Sequence, residues 1–422
     1  MGRNVCKEIP GVSSITLFLP NIHNIPFNFE PFGMENKDAT GEPDVFWVTK
    51  EPFGIIQATV EQPRRTDDIV DLRGNAQLHV PYYSDYISKD LSLRLLQESR
   101  EVPSVPNLVY TGNGPPLFNH NSLEDTNMSN ALEFMCSVYK STWQKLAMVL
   151  DQRVKDRKFI DQRVQAYEKL PTKIQQKRPL YEEIIGQKDS SDRVVIGELQ
   201  STFYKGEGNK SIAPLPKCLK GPHVTMFGTA GSKEEKDSAM TVYSSAVLQD
   251  EPQVMTDLLK RQSATMMWGA DLEDSQTPCK HNFLESQKNL HDAFQELTQN
   301  TDGVSQPIIR LPGLALPCTF LFYFSNPIPM HLYSLTTHLY KHWNDPKALN
   351  FYIPKLENEE EARYLQCVLD CAERLLHKQH PNYKLGTIRI IVVFENPRAI
   401  FRVNEIADAL FPYFAGGSLG CK

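Results

Sequence analysis

The sequence predicts an α/β fold for its second half, in which short apolar strands alternate with helices. After His223, five apolar runs occur, and each ends roughly 40 to 45 residues beyond the previous one, the length of one strand, one helix and their loops. Ionisable residues lie at or directly after the ends of four of these runs. This rhythm is typical of a β/α barrel or of a doubly wound sheet. The runs are HVTMFG, ATMMWGAD, PIIRL, NFYIPKLE and IRIIVVFEN, and the strands end near Phe227, Ala270, Arg310, Lys355 and Glu395.

The chain before these strands divides into two further regions. Residues 1–130 mix short apolar runs with turn-forming residues and have no motif that specifies their fold. They end in a loop rich in Pro, Gly and Asn. Residues 131–220 begin with apolar side chains at helical spacing, which predicts a helical layer that packs on residues 221–422.

Composition narrows the class of protein. With 422 residues, 41% of them hydrophobic, the chain can bury a large core in one or two domains. The 51 acidic and 45 basic residues give a formal charge of -6, and no basic block indicates nucleic-acid binding. The most apolar run, Leu314 to Phe324, contains Pro317 and is too short to span a membrane. We therefore expect neither nucleic acid nor membrane as a partner.

The cysteine pattern and the residues at the two ends of the chain bear on the cellular location of the protein. The eight cysteines include no C-x-x-C pair, and no signal peptide follows the start MGRNVCKEIPG, which suits a reducing compartment. The last three residues are not a peroxisomal targeting tripeptide. The prediction is a cytoplasmic or peroxisomal protein. Cys367 and Cys371 lie four residues apart, which fits buried packing on a helix, with a metal site as the alternative.

The helix that follows NFYIPKLE is the best-defined one in the sequence. Asn358 and Glu361 form an N-x-x-E pattern that resembles a capping box. Apolar residues then recur along one helical face, which would lie against the outside of the sheet or barrel. They are Leu365, Val368, Leu369, Ala372, Leu375 and Leu376.

Charged residues accumulate where the predicted strands end. Asp271, Glu273 and Asp274 lie within four positions of one another behind a buried strand. Arg310, Lys355 with Glu357, and Glu395 end three other strands. In a parallel barrel these ends form one face, so the side chains could converge, although a charged residue after a strand is also the usual first solvated position of a loop. Carboxylates that converge beside an Arg suggest a hard, oxygen-liganded ion such as Mg²⁺.

These residues also carry a family resemblance. The stretch DLEDSQTPCKHNFLESQKNLHDA resembles a malate synthase segment with a D-F-E-D-S strand end, then P-x-x-x-N and G-Q-x-N-L-x-D-A, in which only Ser286 replaces a glycine of the second block. FYIPKLENEEEAR and GTIRIIVVFENPRAIF resemble two further blocks of that family. The resemblance covers roughly residues 222–422. The matching positions of the first stretch are Asp271, Glu273, Asp274, Ser275, Pro278, Asn282, Gln287, Asn289, Leu290, Asp292 and Ala293.

The resemblance implies a fold, an activity and a site. The fold is a TIM-type β/α barrel, here incomplete with about five to six strands, preceded by helical and irregular additions. The activity is the Mg²⁺-dependent condensation of acetyl-CoA with glyoxylate and water to malate and CoA, as in the glyoxylate cycle. Arg310 is implied as the catalytic, substrate-binding arginine and Glu395 as a metal ligand that also faces substrate. Gly420 is implied in substrate binding, with Asp271, Glu273 and Asp274 as further candidates near the metal.

The sequence also departs from the family pattern. LPGLALPCTFLFYF follows Arg310 in place of P-R-G-W-H-L-P-E-K-H, and AGGSLGCK matches A-G-L-N-A-G-R-W-D only up to Lys422. A second metal-ligand Asp would come next, and the general base later, so we interpret the chain as cut short, with possible self-association through an exposed barrel edge. Two alternatives stay open: a related acyl-CoA lyase of the citrate-lyase β-like type, and a catalytically inactive scaffold or regulatory homologue.

Overall fold

The structure is a computed structural model. It describes residues 45–50, 54–59, most of 80–111, 126–169, 185–197, 213–220, 225–241, a few positions between 249 and 257, 267–299 except 275, 277 and 278, and 304–419. Within these ranges the strands are β1 (Val45–Lys50), β2 (Gly54–Thr59), β3 (Arg100–Glu101), β4 (Leu108–Tyr110), β5 (Thr225–Thr229), β6 (Met267–Asp271), β7 (Gln306–Arg310), β8 (Pro317–Tyr323), β9 (Asn326–Pro329), β10 (Asn350–Ile353), β11 (Arg389–Phe394) and β12 (Phe414–Leu419). The α-helices are α1 (Lys89–Gln97), α2 (Thr126–Glu168), α3 (Lys233–Thr241), α4 (Lys280–Gln299), α5 (Met330–His342), α6 (Glu359–Gln379), α7 (Pro397–Ile400) and α8 (Val403–Ala409).

The main sheet is parallel and follows the order of the chain. Its strands run β5-β6-β7-β10-β11-β12, and each neighbouring pair is parallel. The five predicted strands and the start of a sixth are thereby confirmed. Helices α3, α4, α5 and α6 lie in the connections, as parallel strands require crossovers.

The sheet is strongly curved. The rings of Phe227 on β5 and Tyr352 on β10 have centroids 5.0 Å apart, although β6 and β7 lie between these strands. Met267, Ile308 and Val393 form an apolar cluster with Tyr352. Within the described residues the sheet is open, with β5 and β12 at its edges. A closed barrel stays a prediction of the resemblance.

The apolar run after Arg310 forms a second, antiparallel sheet. Strand β8 pairs with β4 on one side and with β9 on the other, in the order β3-β4-β8-β9. The β8–β9 turn has positive φ at both Phe324 (46°) and Ser325 (61°), as a two-residue type I′ hairpin requires. The second half of the run that departs from the family pattern is thus a largely buried strand. No helix in the described ranges is long and apolar enough to cross a membrane.

Within the described residues, the predicted helical layer over 131–220 contains one long helix. Helix α2 begins earlier, at Thr126, and ends at Glu168. Of the residues described after it, 185–197 contain turns and one isolated bridge, and Lys217–Leu219 form a single 3₁₀ turn. Helix α2 packs against α5 and α6, which places it over the helices on one face of the sheet.

Helix α6 confirms its predicted start and its apolar face. Asn358 Oδ1 accepts hydrogen bonds from the backbone N–H groups of Glu360 and Glu361, both at 3.0 Å. The Glu361 side chain does not complete the capping box, because it turns to the Glu357 N–H and to Arg153 instead. All stripe residues are buried except Leu375, which is half-buried. Cys367 and Cys371 are half-buried, and Cys367 Sγ lies 3.1 Å from Lys145 Nζ of α2.

Candidate active site

Strands β6 and β7 bring the acid cluster and Arg310 together. Asp271 and Arg310 end the two strands and are direct partners in the ladder. The Leu272 N–H continues the pairing by donating to the Arg310 carbonyl at 3.1 Å. Asp271 Oδ1 then accepts from the Glu273 N–H at 2.9 Å, so the chain turns sharply and presents three carboxylates in four residues. The ladder register therefore sets the position of the cluster opposite Arg310.

Arg310 forms ion pairs with all three acids. Its Nη1 lies 3.3 Å from Asp271 Oδ2, and its Nη2 lies 3.2 Å from Asp274 Oδ2 and also contacts Glu273 Oε2. No acceptor among the described residues reaches the buried Arg310 Nε. Burial lowers the pKa of Arg310, but Glu273 first and then the other carboxylates raise it above its usual value. The guanidinium is therefore permanently charged in this site.

Lys355 is a second cation in the cluster. Its Nζ contacts the carboxylate oxygens of Glu273 and Asp274 that Arg310 does not contact. Burial lowers the pKa of Lys355, while Glu273 and Asp274 raise it, and the net pKa lies above the usual value for lysine. The sequence marked Lys355 only as a charged residue at a strand end. Its contact with the acids depends on the sheet order, which places β10 directly beside β7.

Glu273 is the most enclosed member of the cluster. Its side chain is 0% exposed, against 40% for Asp274. Burial raises the pKa of the Glu273 carboxyl, Lys355 and Arg310 lower it, and Asp274 raises it, which together give a pKa of about 7. Glu273 therefore bridges the two cations inside the protein, while Asp274 borders the solvent.

Glu395 reaches the same edge of the sheet from β11. It follows Phe394 directly, and its Oε1 accepts the Lys355 N–H at 2.9 Å. Strand β10 separates β11 from β7, so Glu395 and Arg310 lie two strands apart at the carboxyl edge. Glu395 is also among the carboxylates that raise the pKa of Arg310. Of the other predicted site residues, Gly420 lies outside the described residues.

The cluster provides the oxygen ligands and negative charge that a magnesium ion requires, but its carboxylates are not arranged as a complete set of ligands. Four carboxylates and two cations lie at this edge, which gives a formal excess of two negative charges on oxygen ligands when every carboxylate is ionised. In the part of the chain that the structure describes, no three His, Cys, Asp or Glu side chains are grouped so that they alone could hold a metal ion. An ion here would need oxygen atoms from substrate or water as well as protein.

A buried network of ion pairs connects α2 with α6 and α7 next to the residues of the candidate site. Asp156 of α2 pairs with both Arg193 and Arg398, and Arg398 also contacts Glu357. Arg153, one helical turn before Asp156, pairs with Glu361. The sequence reasoning missed these residues. Their partners lie up to 242 positions away, so no local pattern could have revealed them.

A second polar cluster lies behind β6 and β7. His291 Nδ1 of α4 is 3.1 Å from His342 Nε2 of α5, and the rings of His338 and His342 stack with centroids 4.5 Å apart. These histidines line a small recess together with Leu272 and Ile309. Burial lowers the pKa of His291 to about 4, of His338 to about 3 and of His342 to about 2. The cluster is therefore neutral at physiological pH.

Comparison with known proteins relates the chain to one family. No family model matches it. It is 24% identical to the glyoxysomal malate synthase of Ricinus communis over 241 residues, which cover 53% of this chain and 38% of that protein. It is 27% identical to the glyoxysomal malate synthase of Candida tropicalis over 184 residues, covering 40% and 32%. It is also 27% identical to malate synthase A of Escherichia coli (strain K12) over 165 residues, covering 36% and 30%.

These matches span between 30% and 38% of each relative's length. They agree in name across plant, yeast and bacterial proteins, and the structure adds a parallel α/β sheet with a charged carboxyl edge. The chain is accordingly a relative of the malate synthases.

Proposed function

We propose that the chain carries out a malate synthase-type reaction, in which acetyl-CoA condenses with glyoxylate and water to give malate and CoA. The observation that carries this proposal is the convergence of Arg310, Lys355, Glu395 and the acid cluster at one edge of a parallel sheet. Active sites of barrel enzymes lie at this edge. The relatives named as glyoxysomal support a peroxisomal location beside the cytoplasmic alternative.

Arg310 is the group that we assign to the developing negative charge of the acetyl thioester oxygen. Its guanidinium is held by three carboxylates, so its orientation is set before substrate binds. The contacts with the acids use three of the five N–H donors of Arg310, which leaves Nε and one hydrogen of Nη1 as donors for a substrate oxygen. Glu273, buried between Arg310 and Lys355, keeps both cations in place.

Mg²⁺ fits the donor set of this site. We propose Glu395 as its protein ligand, with Asp271 and Asp274 as the carboxylates that would orient bound water. The excess of negative charge and the all-oxygen ligands suit an ion that keeps several waters and takes one or two carboxylates. When bound, the ion would polarise the glyoxylate carbonyl as a Lewis acid. The Lys355 N–H, which bonds Glu395 Oε1, orients this carboxylate.

One observation favours a second candidate, a homologue that binds ligands without turnover. Every carboxylate of the acid cluster already pairs with Arg310, so none of them can act as a general base without breaking an ion pair. A protein of this kind would bind Mg²⁺ and glyoxylate but release no CoA. The related acyl-CoA lyase reaction would instead proceed without glyoxylate.

The test is a CoA-release assay with acetyl-CoA, glyoxylate and Mg²⁺, in which each component is omitted in turn. Glu395→Gln keeps the shape of the side chain and removes its charge, so we expect turnover to fall by about 100-fold or more. The matched control is Glu285→Gln, a half-exposed carboxylate on α4 that is 3.7 Å from Lys288 rather than paired with a residue of the site.

Calorimetric titration with Mg²⁺ provides an independent measurement. We expect Glu395→Gln to weaken Mg²⁺ binding and Glu285→Gln to leave it unchanged. Unchanged affinity in Glu395→Gln would remove Glu395 as a ligand. Mg²⁺ binding by the unsubstituted protein without any glyoxylate-dependent CoA release would favour the second candidate.

A further inference from the structure

Lys355 has a backbone conformation that residues other than glycine rarely adopt. Its φ is 58°, in the left-handed region, two residues after β10 ends. The peptide groups on both sides of it are hydrogen bonded. The Lys355 N–H donates to Glu395 Oε1 at 2.9 Å, and its carbonyl accepts from Arg153 Nη2 at 2.7 Å. Residues held in such conformations persist when their surroundings determine them, often at functional sites.

Arg153 is itself fixed in the protein interior. Its side chain is 9% exposed, and it meets the fully buried Glu361 through Nε and through Nη2, the latter at 2.9 Å from Oε2. The same Glu361 Oε2 accepts the Glu357 N–H at 2.8 Å. Arg153 and Glu361 together therefore hold the backbone on both sides of Leu356. This contact joins α2 to the carboxyl end of β10.

We propose that Arg153 is a positioning residue of the candidate active site. By holding the Lys355 carbonyl, it keeps Lys355 in the left-handed conformation that aims the backbone N–H at Glu395 and the Nζ at Glu273 and Asp274. Its catalytic consequence rests on the proposed function, while the positioning of Lys355 does not.

Arg402 provides a matched control for a purely structural role. It is also a buried arginine, and its Nη1 pairs with Glu359 Oε2 at 2.9 Å. Its other groups donate to the carbonyls of Val194 and Gly197. Loss of the Arg402 guanidinium group should therefore destabilise the fold without changing the hydrogen bonds of Lys355.

The experiment compares Arg153→Lys with Arg402→Lys. Lysine keeps the positive charge but has one nitrogen in place of the guanidinium group. Arg153→Lys can therefore still pair with Glu361, while it loses the hydrogen bond to the Lys355 carbonyl. Amide hydrogen exchange is followed by mass spectrometry in short peptides that cover Lys355. We expect exchange there to quicken by about 10-fold or more in Arg153→Lys only, while the urea midpoint falls in both variants. Equal exchange at Lys355 in the two variants would overturn the proposal.

Turnover supplies a second readout. In the CoA-release assay, Arg153→Lys should lower kcat by about 10-fold or more with little change in the KM for acetyl-CoA, because a displaced Glu395 affects reaction more than binding. Arg402→Lys should keep its kcat. A proportional loss of kcat in both variants would show that Arg153 only stabilises the fold.

Two features keep the outcomes distinct. If Arg153→Lys does not fold, Glu361→Gln loosens the anchor of Arg153 more gently, and faster exchange at Lys355 is again expected. Unchanged exchange in a folded Glu361→Gln would then count against the proposal. The exchange measurement needs no turnover, so a protein without malate synthase activity would refute the proposed function and leave the positioning of Lys355 to be decided separately.

Discussion

We predict that substitution of Glu373, a buried carboxylate outside the candidate site, strongly lowers the stability of the fold. It lies on α6, is 1% exposed, and binds the turn that leads into β11, the strand that ends at Glu395. Its two oxygens accept five hydrogen bonds. The donors are the hydroxyls of Tyr383 (2.7 Å) and Tyr413 (3.2 Å) and the backbone N–H groups of Gly386 (2.5 Å), Thr387 (3.1 Å) and Ile388 (3.2 Å).

The substitution Glu373→Gln replaces one oxygen by an NH₂ group. If the remaining oxygen takes the position of Oε1, the bonds from Tyr383, Thr387 and Ile388 survive in weaker, neutral form. The Gly386 N–H then faces another donor, whereas the Tyr413 hydroxyl can turn and accept a hydrogen bond from the new NH₂ group. The lost hydrogen bond from Gly386 to a charged group costs about 1.5–3 kcal/mol. This is a large part of the total stability of about 5–15 kcal/mol that is typical of a domain.

Urea unfolding followed by circular dichroism measures this loss. The matched control is Asp370→Asn, one turn earlier on α6, where the carboxylate is 41% exposed and pairs with Arg374 at 2.9 Å. An exposed i,i+4 pair contributes about 0.3–0.5 kcal/mol, so the control should shift the urea midpoint only slightly. A loss below about 1 kcal/mol in Glu373→Gln would refute the assigned bonding, since even one orphaned buried donor should cost more.

Two further predictions concern α6 and the histidine cluster. Asn358→Ala removes the cap of α6 and should destabilise the protein by about 1 kcal/mol in thermal unfolding, whereas Asn358→Asp should restore most of that loss. His291, with its pKa lowered to about 4, contributes stability that is complete above about pH 6.5 and is lost as the pH falls from there towards 4, because only the unfolded chain then takes up a proton. The slope of the unfolding free energy against pH reports how many more protons the unfolded chain binds. In that window, His291→Gln should reduce this number by about one. An unchanged slope would show that His291 is not held neutral.

The sequence by itself determined the order and nature of the elements in the second half of the chain. Strand and helix periodicity, and the Asn358 cap, depend on residues within a few positions of one another, so they can be read locally. The charged strand ends were also visible. Because parallel strands share one carboxyl edge, Asp271, Arg310 and Glu395 could be expected on the same side of the sheet.

Only the tertiary structure decided how those groups meet. The pairing of Lys355 with Glu273, and its left-handed φ, follow from the neighbouring positions of β10, β7 and β6 and from a hydrogen bond to Arg153, 202 residues earlier. Burial, which raises the pKa of Glu273 to about 7, is likewise a property of the assembled fold. The run after Arg310 became a strand of a separate sheet because β4, over 200 residues before it, supplies its hydrogen-bonding partner. Such contacts depend on chain segments far apart in sequence, and local patterns carry no information about which of them will pair.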